Sequence, residues 1–334
     1  MRRRSLLLAA VPAGLVTLSA CGDNKSASSK TSASPTPSVS APPPPKIVAG
    51  PLPAITAGTR FGEKPTVAKG AGAPSKDLAV KTVIAGSGRT VAENDFIKAN
   101  YLGQIWDTAK VFDNSYDRKS PLVMQLAQGS IIDGWRYGLT GKKVGSRVQI
   151  AVPPTWGYGT SGNAQAGIKG TDTLVFVIDV IESYNSKSSV TGKAVAQSDA
   201  ALPKVATNTD GAVPKVTVPK TDPPKKLVST YVLEGDGDEL KADQAVLCQF
   251  QGLVWDGGKT FQRTYGSGRL AQFSLEQMQQ TVKGLAQGLV GKKVGSRVLI
   301  VVPPELGYGD TPPSGGPIQK GSTLVFTVDV LAAM

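Results

Sequence analysis

The chain of 334 residues contains no histidine and only two cysteines, Cys21 and Cys248. Without imidazole, Ser-His-Asp and Cys-His catalysis and the usual His/Cys zinc sites are excluded. Cys21 ends an apparent export signal, so one thiol remains for the rest of the chain and no intramolecular disulfide is expected. Cys248 falls in a predicted strand, where a small buried hydrophobic role is expected. We therefore expect no metal and no cofactor.

Long apolar runs are also lacking. The apolar run from Leu6 to Leu18 is shorter than the ~20 residues that span a bilayer. It follows three arginines at positions 2–4 and ends in Leu-Ser-Ala-Cys at 18–21, which resembles a bacterial lipobox. This predicts a signal peptide over 1–20, lipid on Cys21, and an extracytoplasmic protein anchored to the bacterial cell membrane. An ordinary secretory signal with a chance cysteine is the alternative, and the arginines also permit twin-arginine export.

Two tracts are poor in large apolar side chains. Residues 21–56 consist mainly of Ser, Thr, Ala, Lys and Pro, and residues 186–212 have a similar composition. Such segments bury too little surface to offset the entropy of ordering. They predict a disordered tether over 21–56 and a linker over 186–212, which leaves domains at 57–185 and 213–334. The linkers favour a monomer with mobile domains.

The formal net charge is +12, and removal of the three signal arginines leaves +9. A nucleic-acid-binding protein would show a basic stripe interleaved with stacking aromatics, but here the lysines are scattered through linkers and turns. We therefore expect no nucleic-acid partner. Attraction to an anionic membrane or wall polymer suits the charge better than nucleic-acid binding does, and simple solvation of the surface is favoured over both.

A near-identical block occurs twice. The segment GKKVGSRVQIAVPPTWGYG at 141–159 returns as GKKVGSRVLIVVPPELGYG at 291–309. Similarity continues upstream, where 101–116 aligns with 250–265, and downstream, where 173–182 aligns with 323–332. Because each copy spans roughly a hundred residues, the repeat indicates two tandem globular domains.

Each copy contains several strand-like segments and one short helical segment. LAVKTVIAG, DFIKANYLGQIW, SRVQIAVP and TLVFVIDVIE are rich in β-branched and aromatic residues and are bounded by Gly, Asp or Pro. Residues 132–139 suit a helix of about two turns, followed by Gly141. Many strands with one short helix predict an α+β fold, an antiparallel sheet folded over a helix.

A series of residues in the first copy carries a family resemblance: Tyr101, Phe112-Asp113, Ile131-Ile132-Asp133-Gly134-Trp135, Gly138-Leu139, Val144-Gly145-Ser146-Arg147, Pro153-Pro154, Gly157-Tyr158-Gly159 and Thr173-Leu174-Val175-Phe176. In order and spacing the series is similar to FKBP-type peptidyl-prolyl cis-trans isomerases over the whole domain. The resemblance implies two tandem domains, each an antiparallel five-stranded sheet wrapped around a short helix. It also implies an aromatic pocket that takes a prolyl ring.

The resemblance assigns Trp135 to the pocket floor at the start of the helix. It assigns the walls and the apolar lining to Tyr101, Phe112, Phe176, Ile131, Ile132 and Ile168. Taken singly, these side chains could be ordinary core residues. The whole set at family spacing favours a pocket.

The polar groups of the implied site are fewer. By the resemblance, the Tyr158 hydroxyl and the Ile132 backbone N–H donate to carbonyls that flank the proline. Asp113 is the polar group at the pocket edge, with Arg118 and Tyr101 around it. The sequence departs from the family at Leu122, where an aromatic residue is common, so that wall is expected to be less complete.

The second copy keeps part of this set. Its corresponding pocket residues are Phe250, Phe261, Val282, Leu285, Tyr308, Ile318 and Phe326. Leu285 stands in place of the tryptophan, Gln262 in place of the aspartate, and Thr281 in place of Ile131. No arginine aligns with Arg118, although Arg269 is nearby after a shift of one residue. We expect a degenerate pocket with weaker binding and turnover.

The leading hypothesis is a lipid-anchored peptidyl-prolyl isomerase that acts on proline-containing unfolded or exported polypeptides. Rotation about an X–Pro bond makes and breaks no covalent bond, so it needs none of the missing residue types. The alternative is a non-catalytic peptide-binding protein or holdase that captures such segments. A structural envelope lipoprotein is a third possibility, supported only by the tether and the charge.

Overall fold

The computed structural model describes residues 43–334. The first unit consists of β1 (Ile47–Val48), β2 (Ile55–Ala57), β3 (Thr66–Val67), β4 (Leu78–Ile84), β5 (Phe96–Ile105), β6 (Val111–Asn114), β7 (Leu122–Gln125), α1 (Asp133–Leu139), β8 (Arg147–Val152) and β9 (Leu174–Tyr184). The second consists of β10 (Lys193–Ala194), β11 (Lys204–Val205), β12 (Val216–Thr217), β13 (Val228–Glu234), β14 (Ala245–Val254), β15 (Thr260–Arg263), β16 (Ala271–Ser274), α2 (Leu275–Met278), α3 (Lys283–Leu289), β17 (Arg297–Val302) and β18 (Leu324–Ala333). None of the helices within this range has the length and apolar character needed to cross a bilayer.

Each unit contains one large sheet. The first follows the order β1-β4-β8-β9-β5-β6, with β7 also on β5, and the second follows β10-β13-β17-β18-β14-β15, with β16 also on β14. All neighbours are antiparallel except β1, which runs parallel to β4. The predicted α+β class is confirmed. The sheets have seven strands rather than five because an edge strand is added and because β6 and β7 both pair with β5.

Side-chain alternation along β5 directs residues to two different cores. Tyr101 belongs to the front core beside α1, whereas its neighbour Leu102 belongs to a second cluster on the back of the sheet. The helix α1 lies very close to β8. A Cβ at Gly134 would come within 2.5 Å of Val152, so only glycine permits this approach.

The back face of each sheet is covered by the N-terminal segment of its unit. We call residues 47–72 the first arm and residues 190–221 the second arm. Val67 of the first arm packs with Trp106 on the back face, and Val205 of the second arm packs with Trp255. Each tryptophan also donates its indole N–H to an arm carbonyl, at 3.2 Å in the first unit and 3.0 Å in the second. Both faces of each sheet are therefore buried.

The arms correct the predicted domain boundaries. Residues 47–56 were assigned to a disordered tether, but they contain β1 and the start of β2. Residues 186–212 were assigned to a linker, but β10 pairs with β13 and β11 pairs with β12. Both segments have few apolar residues, so their composition predicts disorder. Those few residues become ordered because they pack against the back face of the sheet. The tether before residue 43 lies outside the described residues.

One buried ion pair anchors each arm. Arg147 Nε lies 2.6 Å from Asp179 Oδ1, and both side chains are fully buried. The same guanidinium donates to the carbonyls of Gly58 and Glu63 in the first arm. In the second unit Arg297 and Asp329 repeat the pair at 2.6 Å, and Arg297 donates to the carbonyls of Ala206 and Asn208. The arginine of each GKKVGSR block, Arg147 or Arg297, therefore anchors the arm of its unit.

The two units share a buried apolar contact. Phe96 and Val123 of the first unit cluster with Leu247 and Ala332 of the second, and Leu270 packs against them. Because apolar side chains from both units meet here, the expectation of mobile, independent domains is wrong for the structure described.

Removal of Asp179 should strongly destabilise the first unit. Asp179→Ala leaves Arg147 buried without its charge partner, which costs about 3–5 kcal/mol in the free energy of unfolding. Chemical denaturation of the full chain measures this loss. Asp107→Ala, which removes an exposed carboxylate of the same unit, is the control and should change stability by less than about 0.5 kcal/mol. A loss below about 1 kcal/mol for Asp179→Ala would contradict the anchoring role.

Candidate functional site

A cavity of about 470 Å³ opens between the front of the first sheet and α1. Six of the nine predicted site residues line it: Tyr101, Ile131, Ile132, Trp135, Tyr158 and Phe176. The cavity is mostly apolar, and its size is in the range of pockets that hold small organic groups. The structure thus gathers residues that are up to 75 positions apart, from Tyr101 to Phe176, around one space.

Trp135 forms the inner end of the cavity. It lies in the first turn of α1 and is 3% exposed. Its ring meets Tyr101 edge to face at a centroid distance of 5.2 Å and meets Phe176 in the same way at 5.4 Å. Such edge-to-face contacts add to the stabilisation from burial and restrict each ring to one orientation. The floor and two walls are therefore held rigidly before any ligand arrives.

The other three predicted residues lie behind or beside the cavity. Phe112 contacts Phe176 edge to face at 5.7 Å and supports that wall from outside. Ile168 is buried in the front core. Asp113 contacts the cavity through the hydroxyl of Tyr101, which donates to Asp113 Oδ2 at 2.5 Å. None of the three is among the residues that line the cavity.

A polar network closes one edge of the cavity. Arg118 forms an ion pair with Asp113 and donates to the Tyr101 hydroxyl at 3.0 Å. The guanidinium also lies over the Tyr101 ring, 5.7 Å from its centroid. Burial raises the pKa of Tyr101 well above its usual range, and the Asp113 carboxylate adds to this effect. Asp113 of β6 and Arg118 of the following loop therefore orient the phenol of Tyr101 on β5, while burial and Asp113 keep it neutral.

Tyr158 lies on the opposite side of the cavity. It follows a short 3₁₀ turn over Pro154–Trp156, which the two consecutive prolines start. Burial raises the pKa of Tyr158, so its hydroxyl keeps its proton through neutral pH and can donate a hydrogen bond. The first phenol is already engaged by Asp113 and Arg118. Tyr158 is the better placed donor for a ligand.

Several lining residues were missed from the sequence. Leu122 was noted only as a departure, and the others were not selected: Met124, Gly129, Ser130, Asp133, Gly157 and Asn163. Most lie in loops whose conformation has no periodic signal. Gly103 was also missed, although a Cβ there would come within 2.7 Å of Phe112 and 2.8 Å of Phe176. Its recurrence as Gly252 in the aligned segment was the available signal.

The second unit retains part of this architecture. Phe261 and Phe326 meet edge to face at 5.7 Å, as their counterparts do in the first unit. The predicted residues all pack in or against its front core: Phe250, Phe261, Val282, Leu285, Tyr308, Ile318 and Phe326. Thr281 and Met278 precede α3 in a segment that contains the additional helix α2. The scaffold is therefore the same and the surrounding loop differs.

The polar edge is missing from the second unit. Phe250 has no hydroxyl and Gln262 has no charge, so neither half of the Tyr101–Asp113 pair is present. Phe250 instead meets Phe273 edge to face at 6.5 Å, and Phe273 occupies the register position of Met124. Arg269 does not replace Arg118, because it lines the cleft between the two units beside Glu93. The corresponding residues of the second unit therefore form an apolar cluster without an oriented charge pair.

The remaining special residues take no part in either pocket. Cys248 is fully buried, and burial raises the pKa of its thiol, which keeps it protonated. Cys21 lies outside the described residues. Within residues 43–334, no group of three or more His, Cys, Asp or Glu side chains is arranged to hold a metal ion.

Comparison with known proteins agrees with this geometry. The family model for FKBP-type peptidyl-prolyl cis-trans isomerase matches residues 87–181 and 237–331. An FK506-binding protein of Streptomyces anulatus is 36% identical over 119 residues, which are 36% of this chain and 96% of that protein. A probable FK506-binding protein of Corynebacterium glutamicum is 34% identical over 121 residues, 36% of this chain and 99% of its own length.

A longer match extends across both units. Peptidyl-prolyl cis-trans isomerase FKBP9 of Mus musculus is 29% identical over 246 residues, which are 73% of this chain and 35% of that protein. The chain thus spans about a third of that longer relative. Because the two family matches together cover more than half of the chain, it belongs to the FKBP-type peptidyl-prolyl cis-trans isomerase family. This is an enzyme class that acts on proline-containing polypeptides.

Isomerase activity should be nearly independent of pH between about pH 6 and pH 9. The chain has no histidine, and burial raises the pKa of both Tyr101 and Tyr158 above the usual tyrosine value. A raised phenol pKa keeps the neutral form, so loss of the proton is expected only at more alkaline pH. Measurement of kcat/KM across the range should show changes below about twofold. A bell-shaped profile centred near neutrality would contradict this site.

Proposed function

We propose that the first unit isomerises X–Pro bonds by binding the prolyl ring in the cavity above Trp135. Twisting the amide has a barrier of roughly 18–20 kcal/mol in water. The twisted amide is less dipolar than the planar one, so an apolar cavity stabilises it more than it stabilises the ground state. The edge-to-face contacts of Trp135 with Tyr101 and Phe176 are the observation that carries this proposal.

Orientation of the peptide supplies the second contribution. The Tyr158 hydroxyl and the backbone N–H of Ile132 donate to carbonyls on either side of the proline. Ile132 precedes the first residue of α1 and lines the cavity. Asp113 acts at the cavity edge through the phenol that it holds. These groups are in position before the peptide binds, so little reorganisation is needed in the transition state.

The second unit binds peptide with weak or no turnover in this proposal. Its pocket has a leucine floor and no Tyr–Asp–Arg network. Apolar side chains around Phe261 and Phe326 can still take up an apolar segment. This observation favours a second candidate function, in which the second unit holds an unfolded chain while the first isomerises it.

The physiological setting follows from the N-terminal sequence. We infer that Cys21 carries lipid and that the protein acts outside the cytoplasmic membrane on exported polypeptides. Uncatalysed X–Pro isomerisation takes about 10–100 s at 25 °C, which is slow enough to limit folding after export. The low content of large apolar residues in 22–42 suits a spacer between the anchor and the folded units.

Trp135→Leu and Asp113→Val test the assigned site in the full chain. Each should lower kcat/KM on a proline-limited refolding substrate by about tenfold, equivalent to about 1.4 kcal/mol of transition-state stabilisation. Leu285→Ala, at the corresponding floor of the second unit, is the matched control and should change the rate by less than about twofold. Thermal unfolding verifies that each variant is folded. If neither change in the first unit reduces the rate, the site is assigned incorrectly.

The same variants separate catalysis from holding. If the second unit captures unfolded chains, Trp135→Leu should show the roughly tenfold lower isomerase activity while the protein still suppresses aggregation of a reduced, proline-free substrate. Phe261→Ala in the second unit should show the reverse pattern. Parallel loss of both activities in Trp135→Leu would favour a single site for both.

Replacement of Cys21 tests the anchor. Cys21→Ser should move the protein from the membrane fraction to the soluble fraction and abolish incorporation of labelled palmitate. Cys248→Ser is the matched control, because that thiol is buried and should leave labelling and fractionation unchanged. Retention of Cys21→Ser in the membrane fraction, with label still incorporated, would refute lipidation at this residue.

A further inference from the structure

The first arm contacts the loop that carries Arg118. We call residues 58–64 the arm tip and residues 115–120 the rim loop. The arm tip lies on the back face, where Gly62 N donates to Asp179 Oδ2 at 2.6 Å. The rim loop lies beside the mouth of the cavity on the other side of the sheet edge. Two links connect the arm tip with the rim loop.

Tyr116 forms the first link. Its hydroxyl donates to Asp179 Oδ2 at 3.0 Å, the same oxygen that accepts from Gly62. The guanidinium of Arg147 completes the cluster by donating to that carboxylate and to the carbonyl of Glu63. One buried carboxylate thus joins the arm tip, the sheet and the rim loop.

An ion pair forms the second link. Lys64 Nζ lies 2.7 Å from Asp117 Oδ1 and 2.8 Å from Asp117 Oδ2. Asn114 shapes the loop from the other side, because its Nδ2 donates to Asp117 Oδ2 at 3.1 Å and its Oδ1 accepts from Asp117 N at 2.9 Å. These contacts of Asp117 fix the direction in which the backbone enters the next residue, Arg118.

Arg118 depends on that direction. Residues 116 and 117 are tied to the arm tip, and the next side chain turns back to Asp113 and the Tyr101 hydroxyl. The Arg118 side chain is partly exposed, so water competes with Asp113 and the Tyr101 hydroxyl for its hydrogen bonds. Anchoring of the two preceding residues reduces the number of conformations in which it can leave Asp113.

The second unit keeps the tyrosine of the first link, as Tyr265, but lacks the ion pair of the second link. Aligned with residues 116–118 are Tyr265, Gly266 and Ser267, so the acidic partner and the arginine are both absent. Lys215 occupies the position of Lys64 in the aligned segments KPTV and KVTV, and within the described residues it forms no ion pair. The ion pair between the arm tip and the rim loop therefore accompanies the Tyr–Asp–Arg network and is missing where that network is missing.

We propose that Lys64 and Tyr116 are positioning residues of the isomerase site, which act through Arg118 on Asp113 and Tyr101. The arm is then part of the functional unit and not only a cover for the back face. This role rests on the proposed function of the first cavity. It makes the activity of the first unit sensitive to contacts on the arm tip, about one sheet thickness away from the bound proline.

The test measures kcat/KM of the full chain for Lys64→Met and Tyr116→Phe, each in the natural background and in an Arg118→Ala background. In the natural background each change should lower kcat/KM by about two- to fivefold, the effect of losing an exposed ion pair or one hydrogen bond. In the Arg118→Ala background neither change should have any further effect. Lys215→Met is the matched control and should leave kcat/KM unchanged.

Ionic strength provides an independent measurement. Salt at about 0.5 M screens the exposed Lys64–Asp117 pair, so it should reduce kcat/KM of the natural protein toward that of Lys64→Met. The variant itself should respond less. Thermal unfolding of each variant checks that the fold is intact, and Lys64→Met should change the midpoint no more than Lys215→Met does.

Two results would overturn the proposal. Equal losses in the natural and Arg118→Ala backgrounds would show that the arm tip acts by another route, and unchanged kcat/KM in both single variants would show that it does not act on the site. Trp135→Leu is measured in parallel. Loss of activity there, with no effect of Lys64→Met or Tyr116→Phe, overturns the positioning role alone, whereas full activity of Trp135→Leu overturns the proposed function.

Discussion

The buried ion pair between Arg147 and Asp179, repeated as Arg297 and Asp329, is the constraint on which each unit depends. Burial of two charges costs free energy unless their remaining hydrogen-bonding groups are satisfied. Here the arm carbonyls satisfy the guanidinium, so the pair is stable only while the arm is in place. The arm in turn covers the back of the sheet, which leaves the front face to build a cavity.

The two faces of the sheets have diverged to different extents. On the back face, both units keep the ion pair, the tryptophan that bonds the arm, and an apolar cluster. On the front face, the second unit keeps the edge-to-face pair of phenylalanines but has lost the charged edge. The back-face contacts that both units need for folding are therefore the ones they share. The chemical differences between the units arise from a few front-face positions.

Much of the site could be predicted from the order of aromatic residues along the chain. Tyr101, Trp135 and Phe176 were assigned to one cavity, and the structure brings them within 5.2 to 5.4 Å of one another in successive ring pairs. Phe112 and Ile168 belong to the same front core but do not line the cavity, a distinction that spacing does not encode. Loop residues such as Ser130 and Asn163 could not be selected, because loop conformation depends on contacts with the rest of the fold.

Duplication, fold class and family follow from local patterns: repeated blocks, strand-like alternation and the spacing of aromatic and glycine residues. The chain composition also excludes catalysis by histidine, since none is present. Folding establishes the order of the arms, the apolar contact between the two units and the ion pair between Lys64 and Asp117. These features join residues about 50 to 240 positions apart, from Lys64 with Asp117 to Phe96 with Ala332. Composition could not reveal them, because a segment with few apolar residues becomes ordered only when another part of the chain supplies its partners.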